Sequence, residues 1–160
     1  MKTASRVGRK SKPTETRPGT AARVVATALY GAVLDQHQPL DQLLDPSTGD
    51  DAYAALPPRD RRLVHAIVAT ALRRHGEIGA VIDRLIERPL PRRTGNLRRI
   101  LEIAVAQLLF MELADHGVVS VALAQLDADR NARHFKGLAN AVLRRIARER
   151  GTIGAGLDAA

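Results

Sequence analysis

Cationic side chains dominate the groups in this chain that could do chemistry: 25 Lys and Arg stand against 17 Asp and Glu, for a formal net charge of +8. They are unevenly placed. Residues 1–23 carry Lys2, Arg6, Arg9, Lys10, Lys12, Arg17 and Arg23 against a single acid, Glu15. Residues 24–56 hold five Asp and no Lys or Arg, whereas residues 57–99 hold eleven Arg against four acids. From residue 100 onward the signs balance. Two basic blocks around an acidic one suggest a polyanion that meets a particular face. Phosphates need Lys and Arg presented together and nothing more elaborate. A leading arm with Arg6, Arg9, Lys10, Lys12 and Arg17, continued by Arg23, is the first candidate surface. Arg130, Arg133, Lys136 and Arg144 form a second, around the turn before the last helix. The competing reading makes the arm a solubilising tail and the late arginines partners of helix C-terminal dipoles.

Other chemistry finds little support. His37, His65, His75, His116 and His134 are scattered, and none forms the i, i+4 pair with a third ligand that a helical metal site requires. Asp50 and Asp51 lie in a polar loop with no apolar surroundings to raise a carboxyl pKa for acid catalysis. Gly154–Ala155–Gly156 neither follows a strand nor completes a nucleotide-loop pattern. The chain has no cysteine, which removes thiolate chemistry and disulfides and fits a reducing cytoplasm. No apolar run reaches the roughly 18 residues of a membrane span. The chain is expected to have no catalytic or metal site and no cofactor of its own.

The aromatic shortage narrows the mode of binding. Tyr30, Tyr53, Phe110 and Phe135 are the only aromatic rings, too few for a stacking platform of the sheet-based kind. Phe135 reads as core. Tyr30 falls at a helical core position, but with its ring packed its hydroxyl can still reach the surface, so it joins the candidate RNA contacts. Recognition is then expected to rest on backbone, 2′-hydroxyl and shape.

Helical periodicity supplies the elements that must hold these residues. Residues 1–19 read as a basic, disordered tail. Thr20 can cap a first helix to about Gln36, and Pro39 opens a short second one. The acidic stretch 45–58 is a loop by composition. Pro57 and Pro58 start a third helix ending near Arg73–His75, before Gly76, and a fourth carries Ile78, Val81, Ile82 and Leu85 to Pro89. Thr94 can cap a fifth, broadly apolar and so central helix, with Leu97, Ile100, Leu101, Ala104, Val105 and Leu108. A sixth follows Gly117, and a seventh runs from Phe135 through Ile146. Residues 151–160 read as a linker or frayed end. The fold class is all-α, with about seven helices in one domain over residues 20–150.

Three segments carry a resemblance: AARVVATALY around Arg23; RDRRLVHAIVATALRRHG from Arg59 to Gly76, with Arg88–Pro89–Leu90; and ILEIAVAQLLFMELADHGVVSVALAQL with KGLANAVLRRI from Lys136 to Ile146. Together they resemble the NusB-type helical domain over roughly residues 17–150. Asp60–Arg61, Arg88–Pro89–Leu90 and Gln107–Leu108–Leu109–Phe110 are most similar to the N-terminal domain of the RsmB (Sun/Fmu) ribosomal RNA cytosine-C5 methyltransferases. The resemblance implies two packed sub-bundles, and RNA binding through the basic arm and first helix. Lys136, Gly137 and Asn140 match the family's pattern, which adds Asn140 to the candidate contacts. It also implies a non-catalytic module that targets small-subunit ribosomal RNA, with S-adenosylmethionine held by a separate C-terminal methyltransferase domain. The alternatives are an antitermination factor that binds RNA with a ribosomal protein, and a helical protein-interaction domain. The family's asparagine and two glutamates on the sixth helix are replaced by Ser120, Val121 and Ala124, which weakens the ribosomal-protein assignment.

Overall fold

A computed structural model describes residues 19–158, and the fold is all-helical, built around one helix that touches nearly all the others. That helix, α6 (Leu97–Phe110), buries every residue from Ile100 to Leu108. A surface that is apolar all round has to be enclosed on all sides, and the neighbours do this. On one side lie α1 (Thr20–Asp35), α4 (Pro58–Arg73) and α5 (His75–Leu85); on the other lie α7 (Asp115–Ala128) and α8 (Lys136–Arg148). The two groups form packed sub-bundles that share α6 as their seam.

Local chemistry explains most boundaries. Pro58 occupies the first turn of α4 with Asp60 beside the positive end of the helix dipole. A single residue, Arg74, separates α4 from α5, so Gly76 lies inside α5 instead of beyond a helix end. Gly19, in the left-handed region at φ 84°, occupies the N-cap of α1, and Thr20 is the first helical residue. Asn96, not Thr94, precedes α6; the Thr94 carbonyl accepts from the Leu97 N–H at 3.1 Å.

Two elements go beyond the seven helices read from sequence, of which the short α2 (Leu40–Leu43) is the one that Pro39 opens. The acidic loop contains α3 (Asp51–Ala54), capped by the Asp50 carboxylate accepting from the Tyr53 N–H at 2.9 Å. The C-terminal stretch read as frayed forms α9 (Arg150–Asp158) up to the last described residue. Arg150 is ion-paired to Asp115 at the start of α7, and Ile153 and Leu157 pack against the core. Those tertiary contacts hold a helix whose three glycines, Gly151, Gly154 and Gly156, would not sustain one alone. A 3-10 turn (Arg133–Phe135) leads into α8.

Candidate nucleic-acid interface

Arg6, Arg9, Lys10, Lys12 and Arg17 lie outside the described residues; the structure fixes the point at which that stretch joins the fold. Gly19 suits this junction through its positive φ, and a Cβ there would lie 2.5 Å from an Arg23 guanidinium nitrogen, which would have to shift.

Arg23 itself is not a surface contact. It is 8% exposed, and its Nε donates a 2.8 Å hydrogen bond to Gln107 Oε1 on α6. Gln107 in turn donates to the Ile103 carbonyl at 3.0 Å. Among the described residues no carboxylate pairs with Arg23, and burial lowers its pKa from the ordinary arginine value. Its outer nitrogens lie near Gly19 and Gly117, so the side chain clamps the start of α1 to α6 and α7. Arg23 positions the junction from within.

Tyr30 is also removed from the proposed surface, because it is fully buried. Its ring lies 6.3 Å from that of His75 and beneath the Arg99 guanidinium, at 5.9 Å. Its hydroxyl makes no normal hydrogen bond, though it is near enough to Glu102 to feel the carboxylate's charge. Burial first, and Glu102 second, push its pKa well above that of an ordinary tyrosine. Glu102 is 1% exposed and contacts Arg99, with His75 Nε2 at 3.2 Å and Arg98 Nε at 4.0 Å. This cluster joins α1, α5 and α6 and has a structural role.

The second predicted surface is a stripe along α8. Lys136, Asn140, Arg144 and Arg148 recur every four residues and so share one face of the helix. Along it, Lys136 pairs with Asp127 at 2.7 Å, and Arg144 Nε donates to Asn140 Oδ1 at 2.8 Å. Arg144 and Arg148 are exposed and make no ion pair with the described residues. Both line a cleft of about 480 Å³ between α7 and α8, with Asp115, His116, Ser120 and Leu123. Its one carboxylate, Asp115, is already neutralised by Arg150. The cleft opens beside the first turn of α7, where Gly117 approaches Arg23, so it lies near the arm's junction. Arg130 and Arg133 are exposed before α8, but do not line this cleft. Arg148, which is not among the contacts expected from sequence, belongs to it; its i+4 spacing from Arg144 is the available signal.

The block 57–99 divides in the same way. Arg74, Arg98 and Arg99 are consumed by Glu77, Asp83, and Asp35 with Glu102. Arg84, Arg88, Arg92 and Arg93, at the end of α5 and in the following loop, are exposed without ion pairs among the described residues, a group that sequence reasoning did not single out. In the acidic stretch, Asp45 accepts from the Ser47 and Thr48 N–H groups at 2.9 and 3.0 Å, and Asp50 caps α3. Asp35 is paired with Arg99. Much of that acidity is therefore committed to local structure. Among the described residues no three His, Asp or Glu side chains converge as metal ligands would, and no helix is long and apolar enough to cross a membrane.

Comparison with known proteins matches residues 20–148 to the NusB family. The chain belongs to that family. This NusB-family domain is 37% identical over 135 residues to the ribosomal RNA small subunit methyltransferase B of Xanthomonas campestris pv. campestris, covering 82% of the chain and 29% of that protein. To the same-named protein of Xylella fastidiosa (strain Temecula1) it is 38% identical over 138 residues, covering 82% and 30%. The chain thus spans about three-tenths of the length of these curated relatives and matches their N-terminal part. Among solved structures, T. maritima NusB superposes with a TM-score of 0.67 at 19% identity, over 82% of this chain and 92% of that one. That likeness establishes a shared fold.

Proposed function

We propose that this domain binds RNA and directs a ribosomal RNA cytosine-C5 methyltransferase activity to small-subunit ribosomal RNA in the cytoplasm. The observation that carries the reading is the pair of uncompensated arginines, Arg144 and Arg148, in a cleft beside the point where the basic arm joins the bundle. Cations neutralised by neighbouring carboxylates would gain little from phosphate, whereas unpaired ones release counterions when they meet it. The relatives' names supply the choice of ribosomal RNA and of methyl transfer. In this reading the domain contributes affinity and placement, and S-adenosylmethionine and the reacting groups belong to a methyltransferase domain. Loss of the family's polar groups at Ser120, Val121 and Ala124 favours it over antitermination with a ribosomal protein.

The test is a titration of structured small-subunit ribosomal RNA fragments at two salt concentrations. Binding that weakens steeply with salt supports the reading. Affinity that is absent, or indifferent to salt, overturns it in favour of a protein-interaction role.

A further inference from the structure

A second groove, of about 530 Å³, runs between α1, α6 and α7. Its wall is apolar: Val24, Ile100, Val121 and Ala124 line it. Val24 is 45% exposed, and no other large apolar side chain among the described residues is as open to solvent. Two side-chain amides, Asn96 and Gln125, line the same groove. Both are half-buried, and neither amide makes a hydrogen bond with the described residues. Apolar walls with a few polar groups that fix orientation are the usual composition of a small-ligand site.

The amide-bearing wall is held rigid. Asp129 Oδ2 accepts from the Asn96 N–H at 2.7 Å, while its other oxygen accepts from the Asn131 and Ala132 N–H groups at 3.0 and 3.2 Å. Gly95 sits at φ 57°, and a Cβ there would collide with this carboxylate, so the loop before α6 is locked onto the end of α7. Thr20, the first residue of α1, and Arg130, an exposed cation without an ion pair among the described residues, also line the groove.

Resting on the RNA-binding reading above, we infer that this groove receives one unstacked nucleobase of the bound RNA, its face against Val24 and Val121 and its edge hydrogen-bonded by Asn96 and Gln125. Side-chain amides carry a donor and an acceptor side by side, the pattern that base edges present. Single-stranded RNA bases are read in this way once splayed from their neighbours. In a chain with so few aromatic rings, an apolar slot takes the place of a stacking platform. Arg130, on the same lining, is available to a phosphate of the bound strand. Specificity thereby enters a surface otherwise built for phosphate.

The experiment uses the full chain and a short single-stranded RNA with 2-aminopurine placed at successive positions. Asn96→Ala and Gln125→Ala keep the backbone bond to Asp129 and the helix of Gln125, so both variants should fold, as circular dichroism will verify. We expect one 2-aminopurine position to change its fluorescence on binding. Each substitution should weaken that RNA by about three- to tenfold, the range of a lost hydrogen bond, with the salt dependence unchanged because no phosphate contact is removed. RNA that binds with no position responding, or with both variants at wild-type affinity, overturns the nucleobase site and leaves the RNA-binding reading standing. Absence of RNA binding at any salt concentration removes both.

Discussion

Arg23 and Gln107, 84 residues apart in the chain, meet in the interior through a 2.8 Å hydrogen bond that joins α1 to α6. The arginine has no carboxylate partner among the described residues, and this neutral amide accepts from its guanidinium group in the interior. Gln107→Leu should destabilise the fold by about 1.5–3 kcal/mol, the range for hydrogen bonds to charged groups. Arg23→Met together with Gln107→Leu should cost less than Gln107→Leu alone, since the double variant leaves no charge stranded. Urea denaturation of the single and double variants checks the ordering.

Tyr30 offers a contrasting case. Its hydroxyl is buried without a normal hydrogen bond, so removing it deletes an unsatisfied group. Tyr30→Phe should leave stability within about 1 kcal/mol of wild type, or raise it. RNA affinity should not change. A marked loss of RNA binding in this variant would return Tyr30 to the interface.

Acid should weaken the fold through two aspartates. Arg99 holds the Asp35 carboxyl below its ordinary value of 3.8, and the hydrogen bonds from Ser47 and Thr48 bring Asp45 to about 2. A carboxyl depressed on folding gives stability that is complete above the unfolded value and is lost as pH falls through the folded one. The decline assigned to Asp45 therefore falls between pH 3.8 and about 2. Asp35→Asn with Asp45→Asn should flatten that part of the profile while lowering stability at neutral pH. Thermal melts from pH 7 to pH 2 measure both effects.

The cations of the proposed interface should separate by salt dependence. Arg144→Ala and Arg148→Ala should each reduce the slope of log affinity against log salt by about 0.7, if each meets one phosphate of single-stranded RNA. Removing residues 1–18 should lower affinity more than either, with helical content unchanged, because the core described from Ala22 onward keeps all its helices. Lys136→Ala should have the smaller effect, since Asp127 already neutralises that side chain.

Sequence periodicity revealed the helices whose burial is strong and regular. In α6 apolar residues recur so densely that its central place was legible from Leu97 to Leu108. The same was true of the apolar face of α8, and hence of the stripe that holds Lys136, Asn140 and Arg144. Helix α9 was hidden because its glycines argue against a helix, and only docking through Arg150, Ile153 and Leu157 makes it one. Helix α3 was hidden by its four residues and by an acidic, turn-like composition. Arg23 was misplaced for a subtler reason. Its spacing from Thr27 and Tyr30, both buried, puts it on the inner face of α1, whereas its charge, read alone, points to the surface. Pairing between distant segments was out of reach: nothing in the local sequence says that Asp35 will take Arg99, or that Asp115 will take Arg150.

A helix shared by two halves also governs how the molecule comes apart. Because α6 supplies core to both sides, neither half can shed it and remain dry, so loosening at one side is felt at the other. The groove beside α1 is lined by α6 itself, and the cleft beside α8 lies between α7 and α8, which both pack against that common rod. Anything seated in one therefore leans on the same support as anything seated in the other.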